Sequence, residues 1–119
     1  MTILYVGVQT GALDIYRGNP RLFQMTVVDQ NSSNVTLDPA GTAKLVCTTS
    51  ISPDADSVLH EFTDLTIVAP GTIKKEFSKA DTKLLPLGSF FGVIRYTDSD
   101  DNEYEVAQIA ITVFPTQMN

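Results

Sequence analysis

The sequence predicts an all-β protein, an antiparallel β-sandwich of seven to eight strands with one short helical turn near residues 78–85. Three observations carry this expectation. Apolar side chains recur at every second position in segment after segment, the period of a strand with one buried face. Clusters rich in Asp, Asn, Ser, Gly and Pro interrupt the chain at intervals of roughly ten residues, the spacing of a sandwich. Helical periodicity is nearly absent, and no alternation of strands with long helices excuses a parallel α/β sheet.

The elements follow in order. Residues 21–28 place Phe23, Met25 and Val27 on one face and Gln24 and Thr26 on the other. The polar run 29–34 is a turn, because its side chains bond their own backbone. Residues 43–51 alternate again, with Ala43, Leu45, Cys47 and Ile51 on one face, and 52–57 form a polar loop. Residues 58–62 and 65–68 read as two short apolar segments. Pro70-Gly71 is a turn before the strand 72–77, in which Ile73, Lys75 and Phe77 share a face. A lysine on that face predicts an edge strand or one wet face, with the Lys74-Lys75 pair discouraging edge-to-edge association. Ser78 is a candidate helix N-cap, and Asp81 stands three positions later as in a capping box. Pro86 and Gly88 end that turn. Residues 89–97 place Phe90, Gly92, Ile94 and Tyr96 on one face, 98–102 form an acidic hairpin loop, and 103–114 form a long last strand.

Composition bounds the function. The chain has 119 residues, the size of one domain, 1–119, that can bury its own core without metals or disulfides. Residues 12–114 are the expected core, 1–11 an N-terminal docking segment or extra strand, and 115–119 a frayed tail. The formal net charge is −6, which repels phosphate backbones and anionic lipid, so neither nucleic acid nor membrane is an expected partner. The single cysteine, Cys47, leaves no internal disulfide and fits maturation in a reducing cytoplasm. The N-terminal apolar stretch is short, lacks a leading cation and is interrupted by Gly7, so it does not read as a signal peptide.

Catalytic constellations are missing from the sequence. Nucleophilic catalysis needs a base, and the only histidine is His60, in a short strand. Cys47 alternates with Leu45 and Ala43 and reads as a core side chain. One His and one Cys cannot supply a zinc site. Asp98, Asp100 and Asn102 have the spacing of the opening ligands of a calcium loop, but the sixth position is Glu103 and the twelfth is Ile109. A solvated hairpin turn is the expected reading. The glycines Gly7, Gly11 and Gly18 precede no helix and form no phosphate-binding motif. No catalytic, cofactor-binding or metal residue is therefore assigned, and no enzyme activity is expected.

The order of motifs supplies a resemblance. Leu13 to Gly18 leads into an alternating strand. Residues 35–41, with Asp38-Pro39-Ala40-Gly41, lead into the next. Then follow Pro70-Gly71-Thr72-Ile73, residues 80–88 with Leu85-Pro86-Leu87-Gly88, Phe90 to Tyr96, and the acidic hairpin. Over residues 12–114 this resembles the N-terminal domains of phage baseplate upper proteins and related Ig-like modules of tailed-phage virions. The pattern differs at Asn19, where Asp is usual, at 37–41, at Phe90, where Tyr is usual, and at Asn102-Glu103, where Asp-Gly is usual. The resemblance implies an Ig-like, non-enzymatic structural component of a virion, assembled in the host cytoplasm. Its place would be baseplate, neck, tail or capsid-surface decoration, its partners other virion structural proteins, and its state a homo-oligomer or symmetric array. Thr2 to Val8 lies outside the family-like core and is apolar on both faces. Ile3, Leu4, Tyr5, Val6 and Val8 are thus the candidate subunit-docking residues, suited to adding a strand to a neighbour's sheet edge. The alternative is a carbohydrate- or receptor-binding module of a head or tail fibre, which predicts an exposed aromatic cluster including Tyr5, Tyr16 or Tyr104.

Overall fold

A computed structural model of the chain describes residues 9–29, 35–38, 40–49, 58–68 and 70–115. Seven strands follow one another: β1 (Gln9–Tyr16), β2 (Arg21–Thr26), β3 (Thr42–Thr48), β4 (Val58–Val68), β5 (Thr72–Phe77), β6 (Gly88–Thr97) and β7 (Glu103–Phe114). One helical turn, α1 (Lys79–Lys83), lies between β5 and β6. The strands join in the order β1-β7-β6-β3-β4-β5-β2. The result is an all-β, Ig-like sandwich that nearly closes into a barrel. All pairings are antiparallel except β1 with β7, which is parallel and sets Gln9 opposite Ala107 and Tyr16 opposite Phe114.

The two apolar segments 58–62 and 65–68 are one strand. Residues between Val58 and Leu65 pair with β3, and Thr66, Ile67 and Val68 pair with β5. β4 therefore passes from one layer to the other after Leu65, and the Thr63-Asp64 interruption that divides its apolar pattern falls at an irregularity of the β3–β4 ladder.

Alternation fills the interior. Leu13 and Ile15 of β1, Leu45 and Cys47 of β3, Phe62 and Leu65 of β4, Ile94 and Tyr96 of β6, and Ile109, Ile111 and Val113 of β7 are buried in one cluster. Each such side chain contributes about 1.5–3 kcal/mol by leaving water. A register shift between Ile94 and Arg95 leaves Val106 as an extra residue in β7, and this bulge accounts for the burial of both Val106 and Ala107.

β5 is not an edge strand. It lies between β4 and β2, and Lys75 is buried between Ile73 and Phe77 on the core face. The edges are β1 and β2. They flank a seam with a void of about 100 Å³, whose walls include Gly11, Ala12, Phe23 and Met25.

Ser78 caps α1 as expected: its hydroxyl accepts from the Asp81 N–H at 3.1 Å, and the Asp81 carboxylate accepts from the Ser78 N–H at 3.0 Å. Gly18 and Gly88 have φ of 88° and 110°, backbone that side chains with a Cβ resist. Other glycines are set by space, Gly41, Gly71 and Gly92 among them. A Cβ at Gly71 would overlap the Val35 carbonyl oxygen, which is fixed backbone. A Cβ at Gly92 would lie 2.7 Å from Ile111 Cδ1 and 2.9 Å from Leu45 Cδ1, both ends of side chains that can turn. Gly71→Ala is therefore expected to destabilise by about 2–3 kcal/mol and Gly92→Ala by less than about 1.5 kcal/mol. Urea unfolding midpoints of the two variants check this order.

Candidate functional site

Strand direction sorts the loops into two ends. The hairpin 98–102, residues 35–38 and 40–41, and the turn at 70–71 lie at one end. The β1–β2 turn, α1 and the last residues of β7 lie at the other, because β1 and β7 run in the same direction.

The hairpin end is acidic and tightly bonded. Asp98 accepts from the N–H groups of Asp100 and Asn102, both at 2.9 Å, and Asp101 adopts φ 64° to close the loop. The Asn102 N–H is the main reason, ahead of the opposing desolvation, that the Asp98 pKa is lowered below the ordinary carboxylate value. The carboxylate spacing read as a possible calcium loop thus belongs to a turn whose first acid binds its own backbone. Asp38 is held in a similar way. It accepts from the Ser99 hydroxyl, the largest cause of its lowered pKa, and from the Ala40 N–H. Its own N–H donates to the buried Tyr96 hydroxyl at 2.9 Å, and the Tyr96 ring stacks on Tyr104 with centroids 6.0 Å apart. Among the described residues, no group of three or more His, Cys, Asp or Glu side chains is placed to hold a metal ion.

The α1 end combines cations with exposed apolar side chains. Gly18 N–H donates to the Thr82 hydroxyl at 2.9 Å, Arg17 Nη2 donates to the Lys83 carbonyl at 3.3 Å, and Arg17 N–H donates to the Phe114 carbonyl at 3.0 Å. These bonds fix the β1–β2 turn against α1. Tyr16 stacks on Phe114 with ring centroids 5.3 Å apart. Tyr16, Phe114, Leu84, Leu87 and Leu22 are all exposed. Beside them opens a hollow of about 460 Å³ walled by Arg21, Leu22, Glu76 and Phe77.

Beneath this end lies Lys75, with its side chain 2% exposed. Its ammonium donates to both Asp64 oxygens at 2.9 Å and to Asp81 Oδ2 at 3.0 Å. It also sits 4.9 Å and 5.4 Å from the ring centroids of Phe62 and Phe77, where aromatic faces attract a cation. One carboxylate, Asp81, therefore caps α1 and neutralises a cation of the barrel interior. Burial would raise the Asp81 pKa, but the Ser78 N–H and the Lys75 bond and charge outweigh it, and the net shift is downward.

The docking residues Ile3, Leu4, Tyr5, Val6 and Val8 lie outside the described residues. Tyr16 and Tyr104 do not form one aromatic cluster, since they lie at opposite ends of the β1–β7 ladder. Cys47 is fully buried, and burial pushes its thiol up to about 12. His60 packs edge-on against Phe62, with centroids 4.5 Å apart. Sequence reasoning missed the Lys75 cluster and the Tyr16–Phe114 pair. The signal for the first was a lysine on an otherwise apolar face. The second depends on a parallel pairing that joins distant segments.

No family model matches the sequence, and comparison with curated proteins finds no match. Among solved structures, the fold is similar to the N-terminal domain of ORF48 of phage TP901-1, with TM-score 0.55 and 14% identity over 92% of this chain and 95% of that one. It is also similar to CopC from Methylosinus trichosporium OB3b, with TM-score 0.50 and 15% identity over 97% of each chain. Fibronectin(III)-like modules of CbhA from Clostridium thermocellum align at TM-score 0.44 and 11% identity, over 95% of this chain and 98% of theirs. At such identities the first two likenesses establish a shared fold.

Two outcomes follow for the Lys75 cluster and the lowered carboxylates. Neutralising both partners, Asp64→Asn with Asp81→Asn, strands a buried cation and is expected to cost roughly 3–5 kcal/mol, whereas Lys75→Met leaves carboxylates that reach water and is expected to cost under about 1 kcal/mol. Urea titration of the two variants measures the contrast. Asp38, Asp81 and Asp98 have folded pKa values below their ordinary value. Their stabilisation is present above the unfolded carboxylate pKa of about 3.9 and is lost as pH falls through the lowered folded values. The thermal midpoint is therefore expected to drop below about pH 4, and Asp98→Asn to flatten that drop.

Proposed function

We propose that this chain is a non-enzymatic structural subunit of a tailed-phage particle that works by docking to neighbouring subunits. The observation that carries this reading is the fold likeness to a phage protein's N-terminal domain, end to end in both chains, together with the motif order of residues 12–114. The chemistry of the described residues agrees with such a role. Strong polar contacts are spent on turns, caps and a buried lysine: Asp98 closes a hairpin, Asp81 caps α1, and Lys75 joins β5 to β4 and α1. Such contacts stiffen a scaffold, and a stiff scaffold loses little entropy when it joins an array.

The docking element in this reading is Thr2 to Val8. Its apolar side chains, Ile3, Leu4, Tyr5, Val6 and Val8, alternate to both faces in sequence. A strand of that kind pairs its backbone with an exposed sheet edge and inserts side chains on either side. Removal of residues 1–8 tests it. The shortened chain is expected to keep its strand-type circular dichroism and to melt within about 4 °C of the full chain, a change of under about 1 kcal/mol. It is also expected to vanish from particles that carry the full chain. A shortened chain that unfolds assigns the segment to the barrel instead, and one that still enters particles removes it as the docking element. Absence of the full chain from purified particles defeats the subunit role itself.

A further inference from the structure

The α1 end differs from the rest of this acidic molecule. The chain has 8 basic residues against 14 acidic ones, yet four of those cations, Arg17, Arg21, Lys79 and Lys83, gather on the β1–β2 turn, the start of β2 and α1. The same end carries Tyr16, Leu84, Leu87 and Phe114, all exposed. Exposed apolar side chains together with charges at one end are what a docking surface with a dry centre and a polar rim is built from. The nearest carboxylates there are engaged: Glu76 pairs with Lys74 at 3.3 Å, and Asp81 pairs with Lys75. Asp14 lies farther back on β1. The β3–β4 connection, which carries Asp54 and Asp56, leaves from this same end of the sheet, where Thr48 stands opposite Phe91 and Val58, and itself lies outside the described residues.

The opposite end of the same molecule is its complement. Asp98, Asp100, Asp101 and Glu103 project with the β6–β7 hairpin, Asp38 is tied to it through Ser99, and the one nearby cation that pairs with it, Arg95, is held by Glu103 at 2.9 Å. Ala40 and Pro70 are exposed beside it and offer apolar contact. A rigid acidic hairpin fits a cationic rim with an adjoining open hollow, and two hairpin ends repel one another. Charge thus selects one relative orientation.

We infer that the α1 end receives the acidic hairpin of a second copy of this chain, so that copies stack head to tail. Such a contact joins different patches on its two sides and therefore propagates into a ring or a row. The inference deepens the subunit role proposed above; it rests on that reading for its place in a particle, while the association itself is a property of the purified chain.

Sedimentation velocity of the full chain over a concentration series tests it, alongside two charge variants. Asp100→Lys with Asp101→Asn alters the hairpin and keeps a residue that tolerates positive φ; Lys79→Glu with Lys83→Glu alters the receiving end. The wild-type chain is expected to associate at about 50 mM NaCl and to weaken roughly tenfold or more at about 500 mM. Each variant alone is expected to stay monomeric with an unchanged circular-dichroism spectrum, and an equimolar mixture of the two to associate again. A wild-type chain that stays monomeric at every concentration, or association that neither variant reduces, overturns the inference. Association in solution by a chain that never enters particles defeats the subunit role and leaves the stacking intact. Entry into particles by a chain that never associates overturns the stacking alone.

Discussion

Because β4 pairs with β3 through its first part and with β5 through its last three residues, the two layers of the sandwich are joined into one hydrogen-bonded order of seven strands. The rest of the structure depends on that dual pairing. It lets a chain of this length surround its interior on nearly all sides. It confines the unpaired edges to β1 and β2, which the chain joins by a short turn. Edges are where sheets meet foreign strands, so the dual pairing also decides where such encounters can occur.

The change of partner happens close to Lys75, the one charged side chain that is buried among the described residues. Asp64, two residues before β4 takes up β5, reaches Lys75 on β5, and Lys75 in turn reaches Asp81 on α1. Three elements therefore share one buried cation. The Asp64 side chain remains 68% exposed, so one side of this network stays hydrated. That partial hydration lowers the desolvation cost that makes fully buried ion pairs expensive. At the same end, Thr82 and the α1 carbonyls hold the β1–β2 turn, so the helical turn acts as a clasp between the two edges of the sheet.

Much of this was legible in the sequence, and the failures have physical reasons. Alternation placed Phe23 and Met25, Leu45 and Cys47, and Phe90, Ile94 and Tyr96 on inward faces, because a strand's period does not depend on what it packs against. The Ser78–Asp81 cap was readable because both partners lie within one turn. Lys75 was misjudged because a lysine on an apolar face is usually solvated, and its carboxylates stand 11 and 6 positions away, beyond local pattern. β4 was divided in two for the same reason: Thr63 and Asp64 break the apolar run where only tertiary pairing keeps the strand continuous. Of the candidate site, the acidic hairpin was visible as a loop, but its relation to the cations of α1 required the direction of every strand. The docking residues Ile3 to Val8 lie outside the described residues, and the fold neither adds to nor subtracts from the sequence argument for them.

The parallel ladder between β1 and β7 has a consequence for synthesis. Gln9 meets Ala107, so a nascent chain emerging from the ribosome carries β1 long before its ladder partner β7 exists. Pairings so distant in sequence form late and slowly, and until then an apolar strand edge stands open to other chains.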